Sequence, residues 1–445
     1  MMADMPVSDD SRFNHRQILR LAVPMIIANI STPLLGLVDT AVMGHLDSPR
    51  FLGGVALGGL IFGFIYWGVG FLRMGTTGLT AQALGNQDGS ESRCILARAM
   101  LAALLIAAMI LLLQRPVSAI SFWLIGSDPV TEGLAQEYFN VRIWSAPATL
   151  GNYVLLGWFL GMQKVNYSLL MVVLGNLTNI LLDLLFVVHL QMTVEGVALA
   201  SVLAEFLAFL TGLGLLRRLL RGQPGRLHAR QVLDLAGLRK LLAINNDIFL
   251  RTLCLIFAFA FFTAQSAIHG ELVLAANTVL LNFQMFMAFA LDGFAHAAEA
   301  EVGRAVGAGD KKLFRRTVLT AVLWSSVVAG CFALFYGLFG VAVVQMLTDL
   351  DPVRRIAYDY LPWVVVLPIV SVWCFLLDGI FVGATLTREM RNTMLFATLI
   401  CFLPAWYFSM PLGNHGLWLA MTVFFLARGV SMGVVFGRRW RKICC

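Results

Sequence analysis

Charge is what this chain has least of. Only 13% of its 445 residues are Asp, Glu, Lys or Arg, about half the share of a soluble domain. That scarcity excludes an ordinary water-soluble enzyme or binding module. Cysteine is sparse too: seven residues and no CxxC pair, which excludes a disulfide framework and a thiolate zinc site. Within apolar runs a free Cys is a small hydrophobe. The chain has no GxxxxGK[ST], no HExxH and no GxSxG elbow, so neither a nucleotide site nor hydrolase machinery is expected. A non-enzyme without bound cofactor, drawing its energy from an ion gradient, is the expectation. A cleaved leader is also not expected, because Met1 to Arg20 is polar and the first apolar run is too long for one.

Apolar residues are abundant instead, at 59%, with mean hydropathy +0.81. This is an integral membrane protein. A bilayer core takes about 20 apolar residues per helix. The apolar runs divide into about twelve spans, over 17–43, 51–80, 94–114, 138–162, 165–190, 194–217, 243–268, 271–300, 314–346, 357–386, 390–411 and 414–437. Several exceed 25 residues, so tilt, kinks or extension past the bilayer are expected. The longest polar stretch, Arg217 to Lys240, contains Gly and Pro and reads as the central linker. The expected division is a first lobe over 1–221, a linker over 222–240 and a second lobe over 241–445.

Lys and Arg set the orientation. With twelve spans, both termini and the even-to-odd loops share one side, and about 24 of the 32 Lys/Arg fall there against about four opposite. Both termini are expected in the cytoplasm. The net charge of +7 thus expresses topology, and no nucleic-acid partner is expected.

The halves resemble each other. "ALGNQD" (83–88) matches "AVGAGD" (305–310), and "GWFLGMQ" (157–163) matches "GIFVGAT" (379–385), both at an offset of 222. "GVALA" (196–200) matches "GLWLA" (416–420) at nearly that spacing. An even number of spans per copy gives a 6+6 parallel repeat, a transporter design.

Ionisable residues inside spans are functional candidates. Asp39 and Asp183 fall at similar depth in spans one and five. Asn176, Asn179 and Asp183 share one helix face. Asn152 is mid-span in span four, and Ser201 and Glu205 share a face of span six. Desolvation pushes a carboxylate toward its neutral form, which suits a proton carrier; mutual hydrogen bonding between helices is the alternative. Pro24 and Pro33 interrupt the ladder of span one and, with Gly36, offer a bend. Arg73, Arg142 and Asp292 lie deep, as ion pairs or cavity contacts. Asp247, Arg251, Glu299 and Arg428 are expected nearer the interfaces, snorkelling or pairing locally. Phe283, Met285, Phe286, Met287 and Phe289 suit a cavity wall for varied apolar substrates, or serve as packing and lipid-facing side chains.

At these residues the chain resembles the MATE (multidrug and toxic compound extrusion) family, in its DinF-like branch. "VPMIIANISTPLLGLVDTAVMGHLDS" (23–48), "TTGLTAQALG" (76–85), "WSAPATLGNYVLLGWFLGMQ" (144–163), "GNLTNILLD" (175–183) and "LLDGIFVGAT" (376–385) carry the likeness. It implies an all-α integral membrane protein, twelve transmembrane helices in two six-helix lobes, and alternating access. It implies export of amphipathic or cationic drugs against proton or sodium entry, from the bacterial inner membrane, by a monomer. Asp39 then corresponds to the first-helix coupling aspartate, Asn179 and Asp183 to the fifth-helix polar pair, Asn152 to a fourth-helix asparagine and Pro24 to a bending proline. Ser201 stands where some relatives have Thr. The sodium-using branch carries an acidic residue in its seventh helix, and 253–267 here has none. Asp378 does match that branch's tenth-helix aspartate, as a substrate contact or a structural group. The resemblance therefore favours protons over sodium. A lipid-linked precursor flippase of the wider superfamily is the runner-up, and a channel or receptor the competing class.

Overall fold

The computed structural model describes residues 11–44, 49–126, 128–222, 225 and 229–443. Within α1, the side chains of 11–14, 32–35, 37 and 39–44 lie outside the described residues, those of Pro33 and Asp39 among them.

Hydrocarbon offers no partner for a backbone N–H or C=O, so apolar runs of this length become helices. Among the described residues there is no strand. The helices are α1 (Ser11–Gly44), α2 (Pro49–Gly68), α3 (Phe71–Gly85), α4 (Gly89–Leu112), α5 (Gln114–Ile125), α6 (Pro129–Arg142), α7 (Ala146–Gly161), α8 (Val165–Asp183), α9 (Val194–Arg221), α10 (Ala229–Val232) and α11 (Leu235–Ile268). They continue as α12 (Glu271–Gly307), α13 (Lys311–Leu347), α14 (Asp351–Gly383), α15 (Thr387–Phe396), α16 (Leu403–Ser409) and α17 (Asn414–Ile443). Pairs such as α2 with α3, and α6 with α7, form single rods, which leaves twelve spans among the described residues. Ten are long and apolar enough to cross a membrane by length and composition. The two others are α1 and the broken α6–α7 rod.

The chain packs as two units. One comprises Ile27–Thr252; the other comprises the chain up to Ile26 together with Leu253–Cys445. We call them the N unit and the C unit. Helices α1 and α11 therefore each belong to both: α1 changes unit just after Pro24, and α11 changes between Thr252 and Leu253.

Each unit is built around its fourth span. In the N unit this is α7, where Leu150, Val154, Trp158 and Phe159 are fully buried. In the C unit it is α14, with Cys374, Ile380 and Phe381 fully buried. Both use glycine to let a neighbouring backbone touch. A Cβ at Gly157 would strike the carbonyl of Arg73, and one at Gly161 would lie 2.7 Å from that of Thr77. In the C unit, Gly379 meets the carbonyl of Ala295 and Gly383 that of Glu299. The two pairs of contacts are related by the offset of 222.

The same offset governs the turns. Gln87 and Gly309 have φ of 57° and 65°, Gln163 and Thr385 57° and 53°, and Gln191 and Gly413 54° and 59°. Asp88 and Asp310 cap α4 and α13, each accepting a backbone N–H three residues on at 2.9 Å. One contact is kept with its partners exchanged. The Phe209 ring fills the space over Gly151, whereas Trp373, the counterpart of Gly151, packs on Gly429. The duplication read from short motifs is thus a duplication of backbone geometry.

Close glycine crossings predict a strong asymmetry among glycine substitutions. Gly379→Val forces apart α12 and α14 and is expected to abolish recovery of folded protein, as is Gly157→Val. Gly330→Val should be tolerated, because a Cβ there meets nothing within 4 Å. Yield of monodisperse protein after purification checks all three.

Candidate functional site

The polar residues that the sequence singles out in the N unit include two hydrogen-bonded groups. The first joins spans one and five. Ser31 donates to the carbonyl of Ala28 at 2.7 Å and accepts from Asn176 Nδ2 at 2.8 Å. One turn further along α8, Asn179 Nδ2 donates to Asp183 Oδ2 at 3.0 Å. Asp183 has no solvent exposure and Asn179 only 3%. Asp183 is also the last residue of α8 before a π-helical stretch over Leu184–His189. Such widened turns are enriched at functional sites. With spans that alternate in direction, the first and fifth share one. From the Ser31–Asn176 bond, Asp39 lies eight residues up α1 and Asp183 seven residues up α8, a rise of about 12 Å and about 10.5 Å.

The second group joins spans four and six. Asn152 Nδ2 donates to Glu205 Oε2 at 2.8 Å and to its carbonyl at 3.0 Å. Arg142 Nη2 lies 4.0 Å from Glu205 Oε1. Tyr66 and Ser145 hydroxyls are 2.8 Å apart, and Thr149 reaches Ser145 at 3.5 Å. Ser201 is buried one turn from Glu205. Asn152 therefore belongs with Glu205 of span six. Ser145 and Thr149 fall inside the quoted 144–163 motif and Tyr66 outside every quoted motif, and none of the three is singled out by sequence reading.

The C unit differs at the equivalent places. The counterpart of Asp39 is Phe261 and that of Asp183 is Ala405. Phe261 packs edge-on to Trp406 at 4.9 Å and to Phe402 at 5.6 Å. Aromatic packing thus replaces titratable chemistry. Asp378 has a partner: Arg428 Nη2 lies 2.8 Å from its Oδ2. Arg428 is 1% exposed, and its guanidinium sits over Phe424 at 5.4 Å and Phe425 at 5.8 Å. It is a core ion pair, not a snorkelling interfacial arginine. Glu299 is likewise fully buried, 3.6 Å from His296 Nδ1. Glu301 is bonded by Gln17 and by Arg304.

Of the candidate cavity residues, Phe283 and Met287 are core. Phe283 packs on Tyr336 at 4.9 Å, and Met287 accepts a contact from the Ser371 hydroxyl at 3.6 Å. Met285 and Phe286 point outward, 51% and 40% exposed. The alternating burial follows the helical period. In the hinge segment, Pro24 is half-buried, and Gly36 is exposed with nothing near its Cβ position.

A duplicated six-helix unit with carboxylates and amides buried inside each copy, and a buried ion pair in the second, defines a class, that of polytopic helical membrane transporters. The chain belongs to the MatE family, whose model matches it twice, over residues 24–185 and 248–407. The members it resembles are transporters and not enzymes. It is 44% identical over 429 residues to DNA damage-inducible protein F of Escherichia coli (strain K12), covering 95% of this chain and 92% of that one. It is 26% identical to Multidrug and toxin extrusion protein 1 of Homo sapiens, over 96% of this chain and 76% of that protein. The crystal structure of MATE in the straight conformation matches the fold with a TM-score of 0.88 at 22% identity, covering 97% of each chain.

Proposed function

We propose that this protein is a multidrug exporter of a bacterial inner membrane that expels amphipathic or cationic compounds against proton entry, as a monomer with both termini in the cytoplasm. Asp39 and Asp183 carry the proton. The observation that supports this most is the fully buried Asp183, bonded to Asn179 on a helix tied to α1 through Asn176 and Ser31. Counted from that tie, Asp39 lies eight residues along α1 and Asp183 seven along α8, which supports putting the two at one depth. A carboxylate in hydrocarbon holds a proton far better than it holds a charge, and releasing that proton changes the demand on the amides around it. Pro24, beside the point where α1 changes unit, offers the bend by which proton state alters helix shape. Asn152, Glu205 and Ser201 contribute a second polar wall for substrate. The cargo class is supported by the names of relatives, multidrug and toxin extrusion protein 1 and a probable multidrug resistance protein NorM of Rhizobium meliloti.

Two observations bear on the alternatives. Asp378 already faces the guanidinium of Arg428, which weighs against a sodium ion there. Arg142 stands opposite Glu205, which weighs against a basic cavity for a lipid-linked pyrophosphate. The test is drug efflux from vesicles energised by a proton gradient alone or a sodium gradient alone. Transport with protons and none with sodium is expected. Sodium-only transport overturns the coupling.

A further inference from the structure

Along one side of the C unit, a groove of about 670 Å³ runs between α17 and α15 with the π-helical stretch that follows it, Ala397–Phe402. Phe396, Leu426, Val430 and Val434 line it and are about half exposed. The hydroxyls in its wall are already used: Thr393 donates to the carbonyls of Glu389 and Met390, and Ser431 to that of Arg428. The body of the groove therefore asks for hydrocarbon.

Its charged end is different. Glu389 and Asn392 stand at the mouth, and Glu389 pairs with Arg439 at 2.6 Å. Arg391 bonds Asn392, and Arg388 and Arg438 are exposed nearby. Arg439 pairs with the one carboxylate, and Arg388, Arg391 and Arg438 each lie within two residues of one member of that pair along the chain, so the mouth carries an excess of positive charge. Trp440, 39% exposed, follows them, as aromatic residues do where a helix leaves the hydrocarbon. From Glu389 to Cys401 the groove is about 18 Å long at the helical rise. One leaflet is about half of a ~30 Å core.

The groove is a departure from the duplication. In the N unit the matching seam is closed: Met171 lies over Gly212, and Gly175 brings α8 against Ala208. The counterparts of Met171 and Gly175 are Thr393, which is shorter, and Ala397, where the helix widens into its π turn. The N-unit counterpart of that turn, 175–180, is plain α-helix.

We propose that this groove holds one acyl chain of an anionic membrane phospholipid, with the phosphate at the arginine mouth. The groove length fits one leaflet, the apolar walls fit the chain, and the mouth has the opposite charge to the headgroup. Basic pockets between helices bind such headgroups. An amphipathic cation would meet four arginines, so the drug cargo is the wrong occupant.

The experiment is native mass spectrometry of full-length protein taken into mild detergent from vesicles of equimolar phosphatidylglycerol and phosphatidylcholine. Wild type should retain one phospholipid, with phosphatidylglycerol preferred about tenfold or more. Arg388→Gln with Arg438→Gln, each worth up to about fivefold, should abolish that preference while a lipid is still retained. Ala427→Phe fills the groove and should cut retention about tenfold, with Ala427→Ser unchanged. Val430→Trp is the second filling variant should Ala427→Phe not fold, and thermal unfolding reports folding for each. Equal retention in a folded filling variant, equal retention of the two headgroups by wild type, or displacement of the lipid by ethidium overturns the proposal.

Discussion

Asp39→Asn is expected to abolish proton-driven drug efflux, lowering the rate by at least about 100-fold, and Asp183→Asn is expected to do nearly the same. Asparagine keeps the size and hydrogen-bonding of aspartate but cannot take up a proton. The folded protein should therefore survive, and drug should still bind. What is lost is coupling. A gradient of one pH unit supplies about 1.4 kcal/mol for each proton that crosses, and without a carrier none of it reaches the cargo. The Asn179–Asp183 bond is the reason the second substitution is expected to cost as much as the first. Asp183 is completely buried, so any charge change there must be answered by neighbours rather than by water. Vesicle efflux and equilibrium binding of a fluorescent drug, measured on the same preparations, separate coupling from binding. Full transport by Asp39→Asn would place the proton elsewhere.

Much of the architecture is legible in the sequence because a bilayer imposes simple rules. Spans show as apolar runs since hydrocarbon demands about 20 residues of them. The duplication shows in "GWFLGMQ" and "GIFVGAT" because Gly157, Gly161, Gly379 and Gly383 each admit a neighbouring backbone, and such a contact permits no other residue. Helix-face arguments work within a helix: Asn176, Asn179 and Asp183 share a period and do share a seam. They fail across helices. Nothing in the spacing tells that Asn152 meets Glu205 or that Asp378 meets Arg428, because those pairings depend on how far each helix is rotated and tilted. Arg428 reads as interfacial for that reason. The π turns after Asp183 and after Phe396 give no signal either, since an extra residue in one turn leaves composition unchanged. The shared ownership of α1 and α11 also stays hidden, because a continuous apolar run does not record which neighbours it packs against at each end.

Arg428→Leu is the second large expected effect, and it reads stability first. The ion pair with Asp378 has side-chain exposures of 1% and 7%, so removing the arginine strands a carboxylate in a dry interior. Breaking such a pair costs about 3–5 kcal/mol, and the contacts of the guanidinium with Phe424 and Phe425 are lost as well. Asp378→Leu should be similarly damaging, because it strands the cation instead. Replacing both together should restore most of the loss, since a buried pair repays little more than its own desolvation. The coupling between the two substitutions should therefore be several kcal/mol and opposite in sign to their individual effects, measured by thermal unfolding in detergent. Additive losses would mean that the pair contributes little as a pair. The double variant also separates two roles for Asp378. If the aspartate only answers Arg428, the double variant exports drug at nearly the wild-type rate under a proton gradient. If the aspartate greets cationic cargo, the same variant is stable yet loses export of cations while keeping that of neutral compounds. The burial of both groups and the 2.8 Å contact favour the first outcome, because an aspartate held this way offers little of its charge to anything else.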